Sequence, residues 1–119
     1  MLPGGGVRGR NVVADLADLQ DNATHASALL KTLANEWRLM ILCHLSEGEL
    51  SVGELERMLG LNQSALSQHL AVLRRQNIVK TRRQAQQIYY SIANDKATSI
   101  ISKLYDLYCA TDVGAKPKT

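Results

Sequence analysis

Cys43 and Cys109 are the residues of this 119-residue chain best suited to covalent chemistry. A thiolate attacks a sulfur–sulfur bond, and a second thiol within reach captures the modified sulfur as a disulfide or a longer bridge. Neither cysteine belongs to a C-x-x-C pair, so a small thiol oxidoreductase is the weaker reading. The plain alternative makes Cys43 an ordinary core residue and Cys109 a partly exposed thiol, because cysteine is commonly buried. His44 follows Cys43, but neighbouring helical residues point about 100° apart, so the two do not form a metal-binding or thiolate-activating pair. His25 is most simply a surface residue of the first helix.

A second group of side chains is suited to hydrogen bonding and to holding anions. Gln63, Ser64, Ser67 and Gln68 lie together and are followed by Arg74, Arg75, Arg82 and Arg83. From residue 57 to residue 94 there are six basic residues and no acid, while the rest of the chain is net negative. Total charge is only +3, so the asymmetry is the informative quantity. Glutamine and serine can bond base edges in a major groove, and arginines can grip phosphate or enter a minor groove. The bland reading is a solvated helix face. His69 can touch phosphate or close a hydrogen bond inside the domain.

These groups need elements to position them. A helical period runs from about residue 15 to 33 through Leu16, Leu19, Ala23, Ala26, Leu30 and Leu33. Asn35 caps a short helix over 36–45 whose apolar residues surround nearly its whole circumference, which places it at the centre. Ser51-Val52-Gly53-Glu54 has the form of a capping box and opens a third helix to about Leu59. Gly60-Leu61-Asn62 then supplies a left-handed C-cap, a core plug and an N-cap, and predicts a tight helix-turn-helix. The fourth helix, 63–75, buries Leu66, Leu70 and Leu73. Runs over 78–83 and 87–92 alternate as strands and form a hairpin through Gln84-Ala85-Gln86, with Gln86 at its tip. Asn94 caps a last helix to about residue 110, carrying an apolar stripe of Ala97, Ile100, Ile101, Leu104 and Tyr108. The fold expected is mainly α with a small β hairpin, a winged helix-turn-helix in the order α-α-α-α-β-β-α. Residues 13–112 form its one domain, between a disordered arm over 1–12 and a disordered tail over 113–119.

The stretch ELERMLGLNQSALSQHLAVLRRQNIV, residues 54–79, resembles the DNA-binding signature of ArsR/SmtB-type repressors. LANEWRLMIL, residues 33–42, is similar to the second helix of that family, and QIYYSI, residues 87–92, to its second wing strand. The chain departs from the family at Asn77, where glycine is common, and at the wing tip, which lacks glycine. The resemblance implies a homodimer joined through the first and last helices, holding two recognition helices in successive major grooves of double-stranded operator DNA. The DNA contacts it implies are Gln63, Ser64, Ser67, Gln68, His69, Arg74, Arg75, Arg82, Arg83 and Gln86.

Many repressors of this kind respond to metals. Positions where arsenic and cadmium sensors carry cysteines hold Ser51 and Gly53 here, and the last helix has no histidine to join Asp106 or Asp112. No metal site and no cofactor are therefore expected. Cys43 and Cys109 instead look like the dithiol of the persulfide-sensing branch, as does the ending Leu107-Tyr108-Cys109. That resemblance implies a persulfide or polysulfide inducer, with a metal- or oxidant-responsive repressor as the alternative. No apolar run approaches the roughly 18 residues of a membrane span, and residues 1–10 lack a secretory apolar stretch. No membrane partner is expected, and the cytoplasm is the expected location.

Overall fold

Among the described residues, asparagine or serine begins four of the five helices, and each supplies a side-chain oxygen to a backbone N–H that the helix would otherwise leave unpaired. In the computed structural model, which describes residues 12–109, the elements are α1 (Val12–Leu33), α2 (Glu36–Leu45), β1 (Leu50–Ser51), α3 (Val52–Leu59), α4 (Gln63–Arg75), β2 (Val79–Gln84), β3 (Gln87–Ile92) and α5 (Asp95–Tyr108). The arm expected over 1–12 and the tail over 113–119 lie outside the described residues, except that Val12 already belongs to α1. The first helix thus begins earlier than its apolar period, because a period marks only the residues that face a partner.

The chain divides into two compact units between Lys31 and Thr32. In the first, α1 leaves Leu16, Leu19 and Leu30 more than half exposed. In the second, α2 packs against α3, α4, α5 and β3. Ile41, Leu42 and Leu45 of α2 join Leu55, Leu66, Leu70, Leu73, Ile78, Val79, Ala97 and Ile101 in the core. The helix α2 is central, as its apolar circumference leads one to expect, but Trp37 and Met40 on it remain about two-fifths exposed.

The helix-turn-helix follows its caps. Ser51 Oγ accepts from the Glu54 N–H at 3.1 Å while Glu54 Oε1 accepts from the Ser51 N–H at 2.8 Å, completing the capping box. Gly60 ends α3 at φ +70°, and two residues later Asn62 Oδ1 accepts from the Ala65 N–H at 2.8 Å to start α4. Leu61 between them is half-buried, a shallower plug than expected. After α4 the chain turns at Asn77, φ +60°, where asparagine takes the left-handed backbone in place of glycine. The hairpin then closes at Ala85, φ +57°.

The expected hairpin is one strand short of the observed sheet, which is three-stranded and antiparallel in the order β1-β3-β2. Leu50 pairs with Tyr90 and Ser51 with Tyr89, so β1 supports only part of the wing. On the other side β2 runs the whole length of β3, from Val79 opposite Ile92 to Gln84 opposite Gln87.

Candidate nucleic-acid interface and cysteine pair

The period of α4 sorts its side chains. Leu66, Leu70 and Leu73 go to the core, which turns Gln63, Ser64, Ser67 and Gln68 outward. All four are exposed on the N-terminal half of the helix, with no acid in its first turn. Arg74 and Arg75 are exposed in the last turn. A depression of about 490 Å³ lies between this helix and the sheet, lined by Val52, Ser67, Leu70, Ala71, Arg74, Arg75 and Tyr90. Its walls carry two arginines and a serine hydroxyl, groups whose chemistry suits phosphate.

His69 is half-buried, and burial, with the Arg38 guanidinium as a lesser cause, pushes its pKa down. Both causes favour the neutral imidazole, the form that can both donate and accept a hydrogen bond.

Strand alternation divides the wing. Val79, Thr81 and Arg83 point to one face, which they share with Ile88, Tyr90 and Ile92, and Lys80, Arg82 and Gln84 point to the other. Arg83 is thus on the side where Tyr90 borders the depression beside α4, and Gln86 is exposed at the turn. Arg82 is exposed but engaged: its Nη2 donates to Glu49 at 2.6 Å, its Nε lies 3.1 Å from the other carboxylate oxygen, and its Nη1 donates to Gln84 at 2.6 Å. The guanidinium also sits 4.7 Å from the centre of the Tyr89 ring. The pairing holds the Glu49 carboxyl below its ordinary pKa. Sequence reasoning missed Glu49 and Tyr89 in this role because the strand that carries Glu49 to the wing is only two residues long.

The cysteines belong to packed elements. Cys43 lies half-buried on α2, and Cys109 is exposed at the end of α5, where its N–H donates to the Tyr105 carbonyl at 2.8 Å. Burial raises the Cys43 pKa, and negative charge on Cys109 raises it further. Cys43 lines a cavity of about 670 Å³ with Met40, Met58, Ile101 and Tyr105 among its walls, together with His44, Glu47 and Glu49. Among the described residues no group of three or more His, Cys, Asp or Glu side chains could hold a metal. Ser51, at a position where arsenic and cadmium sensors carry cysteine, is used in the capping box. Among the described residues no helix is long and apolar enough to cross a membrane.

A profile of the family described as "Bacterial regulatory protein, arsR family" matches residues 35–81. Over 97 residues the chain is 50% identical to the biofilm growth-associated repressor of Agrobacterium fabrum, covering 82% of this chain and 83% of that protein. The chain belongs to the arsR family. Among other arsR-type relatives, the transcriptional activator HlyU of Vibrio cholerae is 50% identical over 95 residues, 80% of this chain and 88% of that one. The crystal structure of the transcriptional repressor BigR from Xylella fastidiosa superposes with a TM-score of 0.74 at 46% identity, covering 80% of this chain and 97% of that chain. The arsR profile runs from the cap of α2 to Thr81 in β2, so it contains Cys43 and the whole of α4 and stops before Cys109.

Proposed function

We propose that this arsR-family regulator is a homodimeric repressor that binds operator DNA through α4 and the wing, and that a sulfur bridge between Cys43 and Cys109 releases it. The DNA half of the reading is carried by the exposed, acid-free face of α4, with Gln63, Ser64, Ser67 and Gln68 set to meet base edges and Arg74, Arg75 and Arg83 set to hold phosphate. The repressor names of the Agrobacterium and Xylella relatives support repression, although the equally similar HlyU is named an activator. A second chain would cover the exposed leucines of α1 and the exposed Tyr105, Leu107 and Tyr108 of α5.

The switch reading is supported by a half-buried thiol on α2 and an exposed one at the C-cap of α5 whose charge acts on the first. Cys109, the exposed one, attacks the outer sulfur of a persulfide RSSH, giving a Cys109 persulfide and RSH. The Cys43 thiolate then attacks Sγ of Cys109 and expels the added outer sulfur as hydrosulfide, leaving a Cys43–Cys109 disulfide. Two protein thiols and one RSSH thus yield one disulfide, one RSH and one hydrogen sulfide. Each further RSSH adds one sulfur to the bridge and releases one more RSH. The bridge would tie α5 to α2 and so change the spacing of the two recognition helices in a dimer.

Transcription in vitro from a promoter overlapping a bound site tests this reading. Repression by the reduced protein, relieved by a persulfide donor and not relieved in Cys43→Ser or Cys109→Ser, is the expected result. Relief that persists in both serine variants would remove the dithiol from the mechanism.

A further inference from the structure

Arg82 stands with the wing's other cations in sequence, but the structure commits it elsewhere. We propose that Arg82 and Glu49 are positioning residues that set the pose of the wing on DNA, and that Arg82 itself takes no phosphate. This role goes beyond operator binding as such, which needs only a wing and not a means of holding it.

Strand register brings the pair together. Arg82 on β2 is opposite Tyr89 on β3, and Tyr89 on its other side is opposite Ser51 on β1. Glu49 precedes β1 by one residue. The guanidinium therefore starts from an outer strand, crosses the central strand over the Tyr89 ring, and reaches the carboxylate beside the far strand. A two-pronged contact to the carboxylate fixes its plane, and the bond to Gln84 fixes the remaining side.

The location gives the contact its purpose. β1 pairs only with Tyr89 and Tyr90, so beyond Arg82 the wing is a two-stranded ribbon without support from a third strand. Such ribbons are marginally ordered by themselves. The clamp lies where three strands become two, on the face opposite Arg83. Arg83 and Gln86 are then presented from a ribbon whose base is held. An exposed ion pair adds little to overall stability, but a small restraint at the root of a lever has a large effect at its tip.

The two roles for Arg82 predict opposite signs for one substitution. Removing an acid near DNA ordinarily strengthens binding, and more so if it frees an arginine for phosphate. If Glu49 is half of a clamp, Glu49→Ala weakens binding instead, by about two- to fivefold on the scale of exposed ion pairs. The probe is a duplex that the unmodified full chain selects from random sequence, and binding is read by fluorescence anisotropy for Glu49→Ala, Arg82→Glu and the exchanged pair Glu49→Arg with Arg82→Glu. Weaker binding by Glu49→Ala together with recovery in the exchanged pair to within about twofold of the unmodified protein is the expected result. Equal or tighter binding by Glu49→Ala, or an exchanged pair no better than Arg82→Glu alone, overturns the proposal.

Discussion

Cys43 lies half-buried with a raised pKa, which favours its thiol over the nucleophilic thiolate, whereas Cys109 is the exposed partner. Burial is the larger cause and the charge on Cys109 the smaller. Cys109→Ser removes a negative neighbour, which favours the Cys43 thiolate, while burial still opposes it. Alkylation of Cys43 followed by peptide mass should therefore rise only at pH above the ordinary thiol range, and its profile in Cys109→Ser should move part of the way to lower pH. An unmoved profile would mean that the two sulfurs are not in electrostatic reach. The unequal exposure of the two cysteines was legible in the sequence, as a core residue and a partly exposed thiol, but the extent of burial at Cys43 was not. It depends on how deep α2 sits against α5, a tertiary fact that no local pattern encodes. The same holds for Arg82, whose commitment to Glu49 spans 33 positions.

Helices announced by caps were read nearly to the residue. Asn35, Ser51, Asn62 and Asn94 each bond the first turn of the helix they begin, an arrangement that uses only residues two or three positions apart. Asn62→Ala should cost about 1 kcal/mol of stability in chemical denaturation, the usual worth of an N-cap. Its partner across the turn, Gly60 at φ +70°, has open space where a Cβ would stand, with no atom within 4 Å. Gly60→Ala should therefore destabilise through backbone strain alone, by about 1 kcal/mol, without a steric clash. The strand β1 escaped because it has two residues, one of which is also the cap of α3, and because its pairing with β3 is non-local. On the wing, Arg83→Gln should weaken DNA binding across sequences and lower the slope of log affinity against log salt by about one, as loss of one phosphate contact does. An unchanged slope would take Arg83 off the DNA.

Among the described residues, Leu16, Leu19 and Leu30 of α1 and Tyr105, Leu107 and Tyr108 of α5 are all more than half exposed. A chain of 13.1 kDa that leaves such faces open is expected to sediment as a dimer. Leu19→Glu with Leu107→Glu should yield monomers that bind DNA far more weakly, because one recognition helix then reads half a site. Dimeric behaviour by the double variant would place the interface elsewhere. The family of the molecule was legible because its most specific residues, 64–70, form one continuous helical segment, while the proposed response to an inducer rests on two cysteines 66 positions apart in sequence. Intact mass and DNA binding, read on the same reduced sample after separate treatment with a persulfide donor, an oxidant and zinc, test that response most directly. Release from DNA after the donor, in step with a Cys43 to Cys109 bridge that retains added sulfur, is the expected result. Release without a bridge, or a bridge that leaves DNA binding unchanged, would contradict it.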